Sequence, residues 1–218
     1  MLPFNSWTNP RAGPFRSKCS ISNLHAGAFL NTISGSSTLT ISHDKNKQLD
    51  ELCYPFIHEQ GYLCDFEVIT DELCTQVGMC LALLGDSHPD LVADLERLQP
   101  LCWHVNGSIR GRLAIVEDDM NWLHDRYDHY REEIDGMRQG FVLPRGSVLA
   151  MQFQLARSST KKAIRALVRL EEQGVNAPAI LGRFCNLLCN VLFVLAGVIN
   201  RRDGIVEPPF ISLSYGKV

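Results

Sequence analysis

The sequence lacks the patterns typical of zinc proteins, membrane spans and nucleic-acid-binding domains. Its eight cysteines form no C-x-x-C pair and show no Cys/His spacing of a zinc ribbon or finger, so no metal site is predicted. Its longest apolar run, 187–199, is interrupted by Asn190 and Gly197 and is shorter than a bilayer requires. The formal net charge is −3, with no long run of one sign, which argues against a nucleic-acid-binding surface.

The first residues also lack the apolar core of a secretory signal peptide, because polar and turn residues follow Phe4 directly. Most cysteines fall within apolar helical patterns, which predicts reduced, buried thiols in a soluble cytoplasmic protein. Cys185 and Cys189 lie one helical turn apart and could share a soft metal ion. No Cys or His partner lies near them in the sequence, so packing is the favoured interpretation.

Helical periodicity is what the sequence does contain, from about residue 66 onward. It predicts helices over 67–84, 90–109, 117–134, 147–173 and 177–202. We therefore predict an all-α, five-helix bundle domain at 63–204, preceded by an irregular N-terminal arm (1–62) and followed by a C-terminal tail (205–218). In the first helix, Val68, Leu73 and Val77 are predicted to face the core. The fifth helix is apolar nearly all round, so we place it at the bundle centre or in a subunit interface.

The fourth predicted helix carries a basic stripe separate from its apolar one. The stripe consists of Arg157, Lys161, Arg165 and Arg169, spaced four residues apart. Just before this helix, the turn F-V-L-P-R-G-S (141–147) presents an aromatic ring, that of Phe141. Together they can hold a polyanion beside a flat apolar ligand. The alternatives are a solvated basic face and a phenylalanine that caps the core.

Polar residues on apolar helices supply two further candidates. Asn186 and Asn190 lie one turn apart on the fifth helix, and buried amides there need hydrogen-bond partners or a ligand. Asp71 is a candidate acid on the first helix, with stabilisation by the helix dipole as the alternative.

Four segments within about 63–202 carry motifs in a distinctive order. They are E-V-I-T-D-E-L-C-T-Q-V-G (67–78), V-E-D-D-M-N-W-L (116–123), F-V-L-P-R-G-S with L-A-R-S-S-T-K-K-A-I-R (141–147 and 155–165), and N-L-L-C-N-V-L-F-V-L-A (186–196). In order and spacing these segments resemble the PduO-type ATP:cob(I)alamin adenosyltransferases. The corresponding family motifs are E-A-Y-G-x-V-D-E-L-N-S-x-I-G, F-x-L-P-G-G, A-R-x-x-x-R-R-A-E-R and L-N-R-L-S-D-x-L-F-x-L-A.

The resemblance implies a homotrimer of five-helix bundles with sites between neighbouring subunits. It also implies a reaction in which a Co(I) corrinoid attacks the 5′ carbon of ATP, forms a cobalt–carbon bond and releases triphosphate. The implied small-molecule ligands are ATP with Mg²⁺ and a corrinoid, cobalamin.

The resemblance further assigns roles by position. It implies that Asp71 pairs with Arg157 and orders the site, and that Phe141 presses on the lower corrin face and excludes the axial base. These three would be the catalytic residues. Asn186 would contact the nucleotide and Phe193 would line the corrinoid pocket. The cations implied to face the triphosphate are Arg157, Lys161, Lys162 and Arg165.

The chain departs from the family at several charged positions. The N-terminal phosphate loop T-G-D-K-G-T-T is absent, and only the Ser/Gly segment 34–38, which is favoured as a plain surface loop, lies near its place. Lys161 and Lys162 replace paired arginines, and lysine lacks the planar bidentate fork of arginine. Ile164 replaces a glutamate of the motif. Two hypotheses follow: an adenosyltransferase with a diverged site, or a catalytically degenerate trimeric module that binds a corrinoid, a nucleotide or a protein.

Overall fold

The computed structural model describes residues 52–136 and 140–214, and five α-helices lie within these ranges. They are α1 (Tyr62–Leu84), α2 (Pro89–Ser108), α3 (Glu117–Glu133), α4 (Val148–Glu172) and α5 (Ala179–Arg202). The bounds agree with the sequence prediction to within two residues, except that α1 begins at Tyr62 rather than at residue 67. Gly61 has a φ of 137°, which side-chain-bearing residues rarely adopt, and the helix begins directly after it. Most of the predicted N-terminal arm, with the segment 34–38, lies outside the described residues.

The helices pack around one another as a closed bundle. α1 packs against α2 and α4, α4 packs against α5, and α5 packs against α3. The ring is closed between α3 and α2, where the Tyr130 hydroxyl donates a hydrogen bond of 2.6 Å to Asp94. The predicted all-α bundle is therefore confirmed for the described residues.

The core residues follow helical spacing, with one correction on α1. Leu73 and Val77 are buried as predicted, but Val68 is 47% exposed. The buried positions near the start of α1 are Phe66 and Thr70. They continue the spacing of three and four residues through Leu73, whereas Val68 lies about 200° around the helix from Phe66.

Among the described helices, α5 is the most extensively buried, which matches the first of its two predicted placements, the bundle centre. By length and by a mean hydropathy of 1.9 in its most apolar stretch, α5 could cross a membrane. However, 61% of that stretch is buried inside the bundle. Its buried residues continue around the helix from Leu181 to Asn200. This burial is typical of the central helix of a bundle.

The buried cysteines pack in the core, as predicted. The described cysteines are free thiols, and the buried ones are Cys64, Cys80, Cys102, Cys185 and Cys189. Burial raises the pKa of Cys80 and of Cys185 to about 12, so both stay protonated at neutral pH. Within the described ranges, no three His, Cys, Asp or Glu side chains lie close enough to hold a metal ion together.

Candidate functional site

Arg157 and Lys161 on α4 lie beside α5. The Arg157 guanidinium carbon lies 5.2 Å from the centre of the Phe193 ring, a cation–π contact. The Cys189 sulfur lies 4.0 Å from the Arg157 carbonyl oxygen. Burial raises the pKa of the Cys189 thiol, and the charges of Lys161 and Arg157 oppose that rise. Arg157 and Lys161, the first two cations of the basic stripe, therefore face the side of α5 that carries Cys189 and Phe193.

We call Arg157, Lys161 and Arg165, together with Phe193 and Asn186 of α5, the cation face. Lys161 and Arg165 are exposed, and Arg157 is half-buried. The three cations span eight residues of α4, about 12 Å along the helix axis. Asn186 and Phe193 are seven residues apart, so both lie on one side of α5.

Arg157 has an incomplete set of hydrogen bonds. Its Nε is buried and has no hydrogen-bond partner among the described residues. A buried, unsatisfied donor on a cation costs free energy, so it marks a place where an external acceptor would be favourable. An anionic ligand or a neighbouring chain could supply that acceptor.

Asn186 and Asn190 are exposed, which corrects the argument that they are buried amides. The Asn186 amide donates to the Gly182 carbonyl at 2.8 Å, one turn earlier on the same helix. The buried asparagine of α5 is Asn200, 2% exposed. Asn186 can still reach a ligand from the surface, but burial does not require it to have one.

Lys162 does not belong to the cation face. Its Nζ lies 3.4 Å from a Glu72 carboxylate oxygen on α1. The same carboxylate accepts hydrogen bonds from the Ser159 hydroxyl at 3.0 Å and from the Gln76 amide at 2.9 Å. Lys162 follows Lys161 by about 100° around α4, so it points toward α1. Glu72 was not among the residues predicted from the sequence, although the spacing of Ser159 and Lys162 at i, i+3 places both on one face of α4.

Asp71 lies on the α2 side of α1 rather than the α4 side. It is exposed and lines an open groove of about 430 Å³ with Cys74, Thr75, Gln99, Pro100 and Trp103. Among the described residues of one chain, Asp71 and Arg157 form no ion pair. The reason is helical geometry: Glu72, the next residue, points at α4, and Asp71 is turned about 100° away from it. The implied pair is therefore not formed within one chain.

Phe141 is 62% exposed, so it does not cap the bundle core. It belongs to residues 140–147, which we call the lip loop. The far end of this loop is fixed by Asn200, whose amide donates to the Arg145 carbonyl at 2.8 Å and accepts from the Ser147 N–H at 3.3 Å. Gly146 has a φ of 157°, and a Cβ there would lie 1.9 Å from the Asn200 oxygen. Glycine is therefore required at this position.

A family model described as cobalamin adenosyltransferase matches residues 68–199, more than half of the chain. Among characterised relatives, the corrinoid adenosyltransferase of Bacillus subtilis strain 168 is 31% identical over 142 residues, which cover 62% of this chain and 72% of that protein. The cobalamin adenosyltransferase of Cupriavidus metallidurans is 33% identical over 138 residues, with the same coverage of 62% and 72%.

Solved structures show the same fold. A variant of the PduO-type ATP:corrinoid adenosyltransferase from Lactobacillus reuteri, complexed with cobalamin and ATP, superposes with a TM-score of 0.64 at 22% identity, covering 70% of this chain and 88% of that one. A second variant of that enzyme, complexed with ATP, gives a TM-score of 0.62 at 22% identity, with the same coverage.

Proposed function

Because this chain belongs to the cobalamin adenosyltransferase family, we propose that it transfers the 5′-deoxyadenosyl group of ATP to cob(I)alamin and releases triphosphate. The Co(I) centre attacks the 5′ carbon, the cobalt–carbon bond forms, and the bond from that carbon to the triphosphate oxygen breaks. The two relatives named above are a corrinoid adenosyltransferase and a cobalamin adenosyltransferase.

The observation that carries this proposal is the buried guanidinium nitrogen Nε of Arg157, which has no hydrogen-bond partner among the described residues. Arg157 lies beside Lys161 on the cation face. Triphosphate leaves as a polyanion, and cations fixed in advance stabilise the charge that develops in the transition state. Charge-assisted hydrogen bonds from arginine to phosphate oxygens are among the strongest in proteins.

The triphosphate contacts we propose are fewer than the resemblance implies. Arg157, Lys161 and Arg165 belong to the cation face, whereas Lys162 is engaged by Glu72. We therefore assign phosphate contacts to the first three and a role at the α1–α4 contact to Lys162. Asn186 is proposed to contact the nucleotide from α5, and Phe193 to line the pocket beneath Arg157.

Phe141 is proposed to press on the lower face of the corrin. Its exposed ring projects from a loop that is anchored at Asn200, so it can contact a flat ligand without any change in the packing of the core. By occupying the lower face, the ring excludes the axial base. Four-coordinate cobalt is more easily reduced to Co(I), the nucleophile of the reaction.

The assembly and cellular setting form part of the same proposal. A homotrimer would allow Asp71 of one subunit to meet Arg157 of another, which one chain does not achieve. Mg²⁺ would arrive with ATP, since it is usually held through substrate phosphates and few protein ligands. A cytoplasmic location is consistent with the free, buried thiols and with α5 being buried in the bundle.

The proposal is tested by incubating the protein anaerobically with ATP, Mg²⁺ and chemically reduced cobalamin. We expect the absorption of an alkylcobalamin to appear, with one triphosphate released per cobalt–carbon bond. Failure to form alkylcobalamin at high protein concentration would contradict it.

One observation favours the second hypothesis, a catalytically degenerate module. Lys162 pairs with Glu72 and is therefore not free to bind phosphate, and Lys161 and Lys162 already replace the family's paired arginines. This hypothesis predicts that calorimetry detects cobalamin binding, that ATP does not change the affinity, and that no adenosyl group is transferred.

A further inference from the structure

The C-terminal tail turns back onto the lip loop directly after α5. Gly204 has a φ of 67°, and the Ile205 N–H donates to the Asn200 carbonyl at 2.7 Å. This glycine-dependent helix end reverses the chain. The segment that follows passes over Val142 and encloses a cavity of about 40 Å³, lined by Ile134, Val142, Gly197, Asn200, Ile205, Val206 and Glu207.

Two backbone hydrogen bonds join the tail to the lip loop. The Leu143 N–H donates to the Pro208 carbonyl at 2.9 Å, and the Phe210 N–H donates to the Phe141 carbonyl at 2.8 Å. Between them, Val142 and Pro209 face each other as an antiparallel bridge. The second bond acts on the backbone of the residue whose ring is proposed to meet the corrin.

The sequence of the tail suits this pairing. Pro208 and Pro209 form the only Pro-Pro pair in the chain. Neither position needs an N–H, because the tail contributes only the Pro208 carbonyl and the Phe210 N–H to the ladder. The two prolines also fix φ near the extended range, so the tail loses little backbone entropy when it pairs. The tail lies beyond the residues 68–199 that match the family model.

We propose that residues 205–210 are a positioning element for the adenosyl transfer, here called the tail clasp, which holds the backbone of Phe141 so that its ring stays against the lower corrin face. The proposal rests on the proposed function. The lip loop is then fixed at both ends, by Phe210 at Phe141 and by Asn200 at Arg145 and Ser147. Without the clasp, Phe141 would be tethered only through the more distant Asn200 contact.

The test compares three variants that separate the backbone donor from the side chain. Phe210→Pro removes the N–H that binds the Phe141 carbonyl, whereas Phe210→Ala keeps it and removes only the ring. Ile211→Pro places a proline in the tail next to Phe210, at an exposed residue that donates no backbone hydrogen bond among the described residues. Helical circular dichroism and melting temperature verify that each variant retains the bundle.

The first measurement is amide hydrogen exchange of Leu143 in the ligand-free protein. We expect Phe210→Pro to accelerate it by about ten-fold, because the two bonds of a short ladder support each other. Phe210→Ala and Ile211→Pro should leave it near the wild-type rate. Unchanged exchange in Phe210→Pro, or equal acceleration in all three variants, would overturn the clasp.

The second measurement is the fraction of Co(II) cobalamin that becomes four-coordinate on the protein in the presence of ATP, followed by absorption and electron paramagnetic resonance. Phe210→Pro should lower this fraction while the two controls retain it. An unchanged fraction alongside accelerated Leu143 exchange would overturn the positioning role. A wild-type protein that forms no such species would instead contradict the proposed function, and Leu143 exchange would still decide whether the clasp exists.

Discussion

At the scale of single residues, neighbouring positions on one helix have different surroundings. Asp71 and Glu72 are adjacent, yet Asp71 lines the α1–α2 groove and Glu72 binds Ser159 and Lys162 on α4. The sequence identified the acidic motif but could not decide which acid faces α4. That choice depends on how α1 is rotated against α4. The rotation is set by buried residues such as Phe66, which lies before the predicted start of the helix.

Arg157 and Arg169 provide a matched pair of cations on α4. Arg157 lies over Phe193 on the cation face, whereas Arg169 lies 5.1 Å from the Tyr62 ring near the start of α1. We expect Arg157→Ala to weaken ATP binding roughly 10- to 100-fold, the effect of losing charged hydrogen bonds to phosphate. Arg169→Ala should leave ATP affinity nearly unchanged. Isothermal titration with ATP and Mg²⁺ measures both, and equal effects would remove the case for a defined phosphate site.

Asn200 and Asn190 test how much the anchoring of the lip loop contributes to stability. Asn200 is buried and makes two hydrogen bonds to the lip loop, whereas Asn190 is exposed. We expect Asn200→Ala to lower the free energy of unfolding by about 1–3 kcal/mol, because both hydrogen bonds of this buried side chain are lost. Asn190→Ala should stay within about 0.5 kcal/mol of the wild type. Urea denaturation provides the values, and similar losses in the two variants would argue against the anchor.

At the scale of elements, the apolar periodicity of the sequence was sufficient to locate the helices. It did not show which helices contact one another. The five helices of the described residues were all predicted, and the apolar spacing on α2 and α4 matches the buried residues. The start of α1 was placed too late because the segment 62–66, which is apolar except for Asp65, was not included in the helix. Asn186 and Asn190 were assumed to be buried on an apolar helix, but even a central helix leaves one narrow side exposed.

The C-terminal end of α5 is held by an ion cluster that predicts a pH dependence. Arg202 forms ion pairs of 2.8 Å with Asp90 at the start of α2 and with Glu133 at the end of α3. Hydrogen bonds from Arg202 lower the pKa of both carboxyl groups. Because the folded-state pKa values lie below the unfolded ones, this stabilisation is present above the unfolded values and is lost as pH falls through the folded values.

We therefore expect the free energy of unfolding to fall as pH is lowered below about 4, the region of unperturbed carboxyl groups. Arg202→Gln should make that fall shallower and should lower stability at neutral pH. Urea titrations of both proteins between neutral and acidic pH provide the comparison. Parallel pH profiles would show that the cluster does not contribute.

At the scale of the whole molecule, Asp71 and Arg157 lie apart within one chain. The cation face belongs to α4 and α5 and the lip loop precedes α4, whereas Asp71 lines the groove between α1 and α2. The resemblance supplied both the residue types and the expectation of sites between subunits. The sequence alone could not show that Asp71 and Arg157 fail to meet within one chain, since that depends on the packing of α1 between α2 and α4.

The most direct test of a shared site is complementation between two inactive variants. Asp71→Asn and Arg157→Ala are each expected to lose most adenosyl transfer when assayed alone. Unfolding and refolding the two chains together at equal amounts would generate mixed trimers. If each site takes Asp71 from one subunit and Arg157 from its neighbour, about one quarter of the sites regain both residues, by the statistics of a closed ring. Recovery of about that fraction of wild-type alkylcobalamin formation is the predicted result, and activity no greater than that of the separate variants would contradict a site shared between neighbouring copies.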